Sequence, residues 1–194
     1  MTHPPVLAED LTAKARIRNA ALDLYARQGE DKVSLRAIAA QAGVTLGLVQ
    51  HHFKSKANLL DAVDKLVVDH FARTIAEVPT DGSPAEIATA RDEAVRRMLA
   101  QNPTVVDYLR RAVLDPAGPR PHLVDGLVEL TRREVAGLRW AGLASTDARE
   151  STQVLVVLAR QVGELFLTPM VDAIWGRVAG PDDRRPRLRV VIED

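Results

Sequence analysis

Two adjacent histidines, His51 and His52, precede Lys54 and Lys56 in a chain that has only five histidines in all. Imidazole is a common metal ligand and general base, so the pair raises the question of a metal or acid–base site. Neighbouring side chains on a helix point about 100° apart, whereas a helical zinc pair needs i, i+4 spacing and a carboxylate. The same geometry argues against a catalytic His–His pair. We therefore predict no metal site and no catalytic residue here.

Other sequence signatures of enzymes are missing as well. The chain contains no G-x-S-x-G, Walker or G-x-G-x-x-G pattern, which would mark a nucleophile or a bound nucleotide. It contains no cysteine, so thiolate sites and disulfides are excluded. We predict a protein that is not an enzyme and uses no cofactor. A small all-helical enzyme remains an alternative, which a pocket with a strongly perturbed acid or base would favour.

Composition and charge point to a soluble protein with two different ends. The 194 residues are 46% hydrophobic and 27% charged with zero net charge, which is ordinary for a globular domain. No apolar run approaches the roughly 20 residues of a membrane span, and the N-terminus lacks a signal-peptide core, so we expect a cytoplasmic protein without a membrane partner. Residues 1–56 hold eight Lys and Arg against five Asp and Glu, whereas the rest holds 18 against 21. This asymmetry suggests two parts with different partners.

Apolar residues recur every three or four positions along nearly the whole chain, which predicts an all-α fold. Pro169 lacks an N–H and clashes with the preceding turn, so we expect it to split the last helix into two pieces. The "LRVVI" segment of the tail is expected to dock as a short extended piece. The helices are expected at residues 11–28, 34–42, 45–52, 55–78, 83–101, 103 to near "DPAGPRP", 122–142 and from 145 onward.

Two short helices meeting at Gly43 predict a helix-turn-helix. Such a motif needs a small residue where the helices come closest, a turn residue tolerant of positive φ, and apolar residues that lock the second helix in place. The residues with these properties are Ala39, Gly43, Val44 and Val49. With Val49 buried, a step of about 100° per residue places Gly47, Gln50 and His51 on the opposite face. Gly47 costs about 1 kcal/mol relative to Ala inside a helix, which a close backbone approach to a ligand would explain.

These residues carry a resemblance to a known family. Residues 12–60 resemble the DNA-binding domain of the TetR family of transcriptional repressors, over about a quarter of the chain. The helical remainder is similar in length and layout to that family's ligand-binding and dimerising domain. The matching positions, spaced without a gap, are Ile38-Ala39, Ala42-Gly43-Val44, His52-Phe53, Ser55-Lys56 and Leu59-Leu60.

The resemblance implies a role for each matching position. Gln50 stands where the family often has Tyr, and Gln can pair with adenine N6 and N7. His51 is expected to add a base or backbone contact, and Arg36 to reach a base or a phosphate. The residues expected to face the major groove are Leu46, Gly47, Leu48 and Gln50. The residues expected to contact phosphates are Ser34, Thr45, His52 and Lys56.

The remaining chain is predicted to bind an effector and to dimerise. We expect a DNA-binding domain over residues 1–56, a ligand-binding and dimerising domain over 57–179 and a tail over 180–194. Arg111 is the best candidate for anchoring an acidic ligand, although core packing or a surface position, and for Arg111 a solvated arginine, is the more ordinary explanation of these positions. The candidate effector contacts are His70, Met98, Tyr108, Arg111, His122, Trp140, Phe166 and Met170.

The last long helix is apolar on more than one side, which predicts that it is buried on more than one side. A two-fold partner would supply the second contact and complete a four-helix interface; the alternative is a core helix of a monomer. The candidate interface residues are Leu127, Leu130, Val154, Leu158, Val162 and Leu165.

The combined prediction is a ligand-responsive homodimeric repressor on a roughly palindromic double-stranded operator. Its effector is a small molecule of unspecified identity. The competing hypothesis is a DNA-binding protein without an effector, which a C-terminal domain lacking a ligand-sized cavity would favour.

Overall fold

The computed structural model describes residues 13–115, 120–186 and 188–192. These residues contain helices and no strand, which confirms the all-α prediction. Residues 11 and 12, the predicted start of the first helix, lie outside the described ranges. The helices are α1 (Ala13–Gln28), α2 (Leu35–Ala42), α3 (Leu46–Phe53), α4 (Lys56–Ala76), α5 (Pro84–Gln101), α6 (Pro103–Val113), α7 (Pro121–Trp140) and α8 (Glu150–Val178).

Four helices begin where a serine or threonine can cap them. The side chains of Ser34, Thr45, Ser55 and Ser83 each accept the backbone N–H three residues ahead, so an N–H without a helical partner is satisfied. At Ser83, Glu86 reaches back to the N-cap N–H and completes a capping box. These local signals explain why the starts of α2 to α5 agree with the sequence prediction.

The chain divides into two compact units, the first ending at Gly126 and the second beginning at Leu127. In the first unit, α1 packs against α2, α4 and α6, so the helix-turn-helix shares its core with later helices. Residue 56 is therefore not a boundary between compact units, and the predicted functional division there stays a prediction. Fully buried side chains of this core are Ile17, Leu22, Tyr25, Ile38, Val49, Leu59, Val63 and Tyr108.

The second unit contains most of α7 and all of α8. The predicted break at Pro169 is wrong, because α8 runs for 29 residues with Pro169 inside it. A helical proline costs one backbone hydrogen bond and a clash that a local bend absorbs, whereas two separate helices would each need a new cap. No glycine or asparagine stands near residue 167 to end the first piece. The Thr168 hydroxyl also donates to the Glu164 carbonyl at 2.6 Å.

The surface of α8 is unusually apolar. Within the described residues, α8 has the length and composition of a membrane span, a weak indication because core helices of soluble proteins pass the same test. Val154 is its buried residue. Val190 of the tail packs closely on this helix, since a Cβ on Gly163 would lie 2.8 Å from Val190 Cγ2. The exposed large apolar residues of α8 are Leu155, Leu167, Met170, Ile174 and Val178.

Candidate functional site

The turn between α2 and α3 depends on the backbone of Gly43. Its φ of 65° and ψ of 41° lie in the left-handed region. Gly43 N donates to the Ala40 carbonyl at 3.2 Å and Val44 N donates to the Ala39 carbonyl at 3.0 Å. This pair of hydrogen bonds is a Schellman motif. A Cβ on Gly43 would meet nothing within 4 Å, so the turn needs glycine for its conformation and not for space.

Helix α3 has one buried and one exposed face. Val49 is 0% exposed and Phe53 is 4% exposed, and Lys14 Nζ lies 5.9 Å from the centre of the Phe53 ring. The opposite face presents Gly47, Gln50 and His51 to solvent. This is the orientation expected from the sequence spacing; the contact with DNA stays a prediction. Leu46, Leu48 and His52, at the edges of this face, are half-buried.

Gly47 has no packing role inside the protein. It is exposed, and a Cβ there would meet only Thr45 Oγ1, at 3.9 Å. That distance is an ordinary van der Waals contact, so alanine would fit the free protein without strain. Packing within the chain therefore gives no reason for glycine here, whereas a close approach of the helix backbone to a partner would give one.

The starts of α2 and α3 present hydroxyl groups and helix N–H groups together. Ser34 Oγ accepts from Ala37 N at 3.1 Å, and Thr45 Oγ1 accepts from Leu48 N at 3.2 Å. A hydroxyl that accepts a capping bond can still donate its own proton. Since the N-terminus of a helix also attracts anions, both starts are suited to bind an oxyanion such as a phosphate.

A tight turn at Lys54 joins α3 directly to α4. Lys54 has φ of 59° and ψ of −47°, and Ser55 N donates to the Phe53 carbonyl at 2.6 Å, which makes a strained γ-turn. Within the described residues, Lys54 is the non-glycine residue with positive φ. Such a conformation costs about 1–3 kcal/mol and tends to occur at functional sites. The turn allows α4 to begin at Lys56, with two residues between it and the end of α3.

Sequence analysis missed this turn because no glycine marks it. The available signal is Ser55, a capping residue so close to Phe53 that only a very short connection fits. Lys54 is exposed and lies two positions before the half-buried Lys56, so the turn carries two cations close together in sequence.

The histidine pair is arranged edge to face. The ring centres of His51 and His52 lie 5.4 Å apart with an angle of 71° between the ring planes. Among the described residues, no group of three His, Cys, Asp or Glu side chains could hold a metal ion. The pair thus offers two polar rings on and beside the exposed face of α3.

Helix α2 is tied to α1 through one carboxylate. Asp23 accepts from Gln41 Nε2 at 2.6 Å and pairs with Arg27 at 2.8 Å. Arg36 of α2 is exposed, so its guanidinium is available to a base or a phosphate. The hydrogen bond from Gln41 to Asp23 holds α2, the helix that carries Arg36, against α1.

A cavity of about 700 Å³ lies between α4 and α5 in the first unit. Two predicted effector residues, His70 and Met98, belong to its wall and are 6% and 5% exposed. Burial lowers the pKa of His70, and the charge of Arg73 lowers it further. The imidazole is therefore neutral near pH 7. The remaining wall residues are Arg73, Thr74, Glu77, Val78, Pro79, Ala90, Glu93, Ala94, Arg97, Gln101 and Asn102.

Three other effector candidates of the first unit lie outside this wall. The guanidinium of Arg111 donates to the carbonyls of Ala26 at 2.6 Å and Arg27 at 2.8 Å, so it caps the end of α1. His122 is exposed, with Nε2 3.8 Å from an oxygen of Asp61. Tyr108, the third, is fully buried. Their roles as ligand contacts stay predictions.

The candidates of the second unit are largely open to solvent. Trp140 is 94% exposed and Met170 is 53% exposed, whereas Phe166 is half-buried. Among the predicted interface residues, Leu130 and Val154 are already buried within one chain. The others are half-buried, namely Leu127, Leu158, Val162 and Leu165. No partner chain is present, so the interface stays a prediction.

A buried ionic cluster centres on Arg120. Its Nη1 donates to Tyr108 Oη at 2.5 Å and lies 3.3 Å from Asp64 Oδ1, while Nη2 lies 2.6 Å from Glu30 Oε2. Tyr108 in turn donates to Asp64 Oδ1 at 2.5 Å. Burial raises the pKa of Asp64 more than the hydrogen bond from Tyr108 and the charge of Arg120 lower it. The cluster connects the loop after α1 with α4, α6 and the start of α7.

The sequence did not predict this cluster, because its members are far apart along the chain. One signal was available: Asp64 lies next to Val63 on the apolar side of α4. In the structure Asp64 is 2% exposed. A buried carboxylate requires a partner.

Comparisons with known proteins agree with this geometry. Residues 17–63 match the family of bacterial regulatory proteins named after tetR. The chain is 45% identical over 75 residues to the HTH-type transcriptional regulatory protein RaaS of Mycobacterium tuberculosis, a match that spans 39% of this chain and 35% of that relative. It is 30% identical over 164 residues to the HTH-type transcriptional repressor Rv3405c of the same organism, covering 84% of this chain and 77% of the relative.

Solved structures share the fold. The TetR-family regulator HI0893 of Haemophilus influenzae superposes with a TM-score of 0.64 at 18% identity, over 86% of this chain and 91% of that one. The multidrug binding protein EbrR, in complex with imidazole, gives a TM-score of 0.60 at 23% identity, over 90% and 94% of the two chains. The chain has a helix-turn-helix and a larger helical part, and Rv3405c is 30% identical to it over 84% of its length. The chain therefore belongs to the TetR family of bacterial transcriptional regulators.

Proposed function

We propose that the protein is a cytoplasmic homodimeric repressor that binds a roughly palindromic double-stranded operator and releases it when a small effector binds. The observation that carries this proposal is the exposed face of α3, presented by a Gly43 turn and flanked by two hydroxyl-capped helix starts. The names of relatives as repressors support the direction of regulation.

Bases and phosphates would be contacted by different residues. Gln50 and Arg36 would read base edges, while Leu46 and Leu48 offer apolar contact suited to thymine methyl groups. The exposed Gly47 lets the backbone of α3 approach the groove, and His51 adds a base or backbone contact. The phosphate contacts would be Ser34, Thr45, His52 and Lys56, two of which are the N-caps described above.

A two-fold dimer would place two copies of α3 in successive major grooves, about 34–36 Å apart. The exposed apolar residues of α8 support dimerisation, since a folded chain leaves them without a protein partner. Contiguous exposed apolar surface marks an interaction site. Of the interface residues predicted from the sequence, the half-buried Leu127, Leu158, Val162 and Leu165 would join this interface, whereas Leu130 and Val154 are already buried within one chain.

Helix α4 would couple the effector to DNA. Its first residue, Lys56, lies at the DNA-binding end, and its C-terminal half lines the cavity beside α5. An effector that prefers one orientation of α4 must change DNA affinity by the same factor by which DNA changes effector affinity. The presence of a ligand-sized cavity favours this regulator over an effector-free DNA-binding protein, and EbrR, of similar fold, is a multidrug binding protein.

The experiment separates base reading from phosphate binding. An operator is selected from random duplexes, and binding to it and to a scrambled duplex is measured across a salt series. Gln50→Ala should lose about 1–3 kcal/mol on the operator only. Lys56→Ala should weaken binding to both duplexes by a similar factor. It should also reduce the slope of log affinity against log salt concentration by about one.

Lys65→Ala is the matched control, because Lys65 is an exposed lysine of the same helix, paired with Asp69 at 3.1 Å. It should leave both affinities unchanged. If Gln50→Ala and Lys56→Ala lower the affinities for operator and scrambled DNA equally, the assignment of their roles is wrong.

A further inference from the structure

The wall of the α4–α5 cavity is mainly polar, which restricts what can bind there. The lining residues of α4 and its C-cap Glu77 recur at i, i+3, i+4 and i+7, so one face of that helix lines the cavity, and one face of α5 lines the other side. The polar wall residues are His70, Arg73 and Thr74 of α4, its C-cap Glu77, Glu93, Arg97 and Gln101 of α5, and Asn102 at the end of α5.

Two buried polar atoms of this wall lack a partner. Asn102 is 1% exposed, and its Nδ2 donates to the Met98 carbonyl at 2.7 Å. That bond fixes the orientation of the amide and leaves its Oδ1 without a hydrogen bond. Nε2 of His70 also has no hydrogen-bond partner. Each such atom costs about 1–3 kcal/mol when it stays unsatisfied. Both atoms have almost no accessible surface in the free protein, so a ligand would reach them only after a small displacement of the wall. Because an amide oxygen can only accept, such a ligand must bring an O–H or N–H donor to Asn102.

Two guanidinium groups of the wall are available for an anion. Within the part of the chain that the structure describes, Arg97 makes no hydrogen bond or ion pair. Arg73 uses its Nε to donate to the Asp69 carbonyl at 3.3 Å, which leaves its terminal nitrogens. Arginine holds a carboxylate through two parallel hydrogen bonds.

The two acids of the wall balance these cations. With neutral His70, Glu77 and Glu93 bring the formal charge of the wall to zero. A ligand that carries several negative charges and nothing else would therefore gain little net attraction. Hydroxyl groups, in contrast, can donate to carboxylates and to Asn102 at once.

The apolar residues of the wall are Val78, Pro79, Ala90, Ala94 and Met98, and the wall contains no Phe, Tyr or Trp, so it offers no aromatic face on which a planar compound could stack. We propose that the α4–α5 cavity binds a polyhydroxylated carboxylic acid, with its carboxylate at Arg97 and Arg73 and its hydroxyl groups toward Asn102 and the two glutamates. This assignment rests on the proposed function only for its consequence, the release of DNA.

Thermal unfolding with matched six-carbon compounds tests the ligand class. Gluconate carries both groups, sorbitol carries the hydroxyls alone, and hexanoate carries the carboxylate alone; lactobionate is a larger hydroxylated acid. At a concentration 100-fold above its dissociation constant, gluconate or lactobionate should raise Tm by about 5–10 °C. Sorbitol and hexanoate at the same concentration, with sodium chloride matched, should leave Tm unchanged.

Variants locate the binding in this cavity. Arg97→Gln should weaken binding of the hydroxylated acid by about tenfold, which is the effect of losing one charge-assisted hydrogen bond. Because Arg97 is exposed and unpaired, its variant should unfold at the wild-type temperature without ligand. Arg96→Gln is the matched control, since the neighbouring arginine of α5 does not line the cavity; it should keep full affinity.

Three results would overturn the assignment: equal stabilisation by hexanoate, no stabilisation by either hydroxylated acid, or equal losses in the two arginine variants. The Tm readout requires no DNA. A protein that binds gluconate at this cavity and no selected duplex would therefore count against the proposed function, and one that binds DNA without gluconate would count against the ligand class alone.

Discussion

At the scale of single residues, Gly43 and Gly47 illustrate two different reasons for a glycine in a helical segment. Gly43 has a left-handed backbone with open space around it, whereas Gly47 has a helical backbone and equally open surroundings. The first residue is required by the chain itself. The second costs the chain helix stability and is explained by the surface that it leaves flat.

Exchanging each glycine for alanine should therefore have opposite effects on folding. Gly47→Ala is expected to raise the free energy of unfolding by up to about 1 kcal/mol, the difference in helix propensity. It should also weaken operator binding, because a methyl group would enter the contact face. Gly43→Ala should lower the free energy of unfolding by about 1–2 kcal/mol. Urea unfolding and operator titration measure both quantities; a Gly47→Ala protein with wild-type DNA affinity would refute the close approach.

The sequence predicts such residues well when their reason is local. The positions of Gly43 and Val49 follow from helix spacing, and the structure has the expected left-handed turn and buried valine. The γ-turn at Lys54 was not predicted, because a lysine with positive φ violates local preference and is maintained by the packing on both sides. The capping role of Arg111 was not predicted either, because its guanidinium donates to the end of α1 from far along the chain.

At the scale of elements, the Arg120 cluster joins helices that sequence separates. Its charged atoms link the loop after α1 to α4, α6 and the start of α7. A buried ion pair adds little net stability by itself, but removal of one partner leaves an uncompensated charge. The cluster is therefore a sensitive point in the connection between the DNA-binding helices and the rest of the first unit.

Arg120→Met should destabilise the protein by about 3–5 kcal/mol, since Asp64 would then be buried without its cation. The double variant Asp64→Asn, Arg120→Met should recover part of this loss, because the asparagine needs no counter-charge. Denaturant unfolding of the single and double variants measures the recovery. A double variant less stable than Arg120→Met would show that Asp64 is not the uncompensated group.

The pH dependence provides an independent check of the same pair. Because burial raises the pKa of Asp64 in the folded state, the folded protein binds more protons than the unfolded chain between the ordinary and the raised pKa. The Asp64 contribution to stability therefore falls as pH rises through that window. The difference in unfolding free energy between Asp64→Asn and the wild type should accordingly move in favour of the variant from pH 4 upward.

Helix boundaries were predictable where their signals are local, as at the Ser83–Glu86 capping box. The error at Pro169 has the opposite origin. Proline reports only a local penalty of about 3 kcal/mol, and that penalty alone does not tell whether a helix ends at the proline or, as α8 does, continues through it. Side-chain clusters between distant segments, such as Asp64 with Arg120, leave almost no pattern in the sequence.

At the scale of the whole molecule, α8 presents more apolar surface than a solitary chain needs. Leu155 is 56% exposed and Ile174 is 51% exposed, and neither contributes to the core of one chain. The sequence indicated this surface through apolar residues on several sides of the helix. It could not show which of them a single chain buries, since that depends on how distant segments of the chain pack against the helix.

Leu155→Glu should shift the protein from dimer to monomer and weaken operator binding, because two half-sites could no longer be held together. Sedimentation should give twice the chain mass of 21.2 kDa for the wild type. Leu114→Glu is the control: this leucine is 64% exposed and lies in the first unit, so the variant should remain dimeric. A monomeric wild type, or dissociation of both variants, would contradict the α8 interface.

The open surroundings of Gly47 have a consequence for engineering this regulator as a sensor. Random libraries enriched for heat resistance would collect alanine at position 47, because the free protein has room for its methyl group. Each enriched clone would be more stable and bind its operator more weakly. Selection must therefore alternate between survival at high temperature and reporter silencing, or the population will lose its genetic target while every biophysical assay of the isolated protein improves.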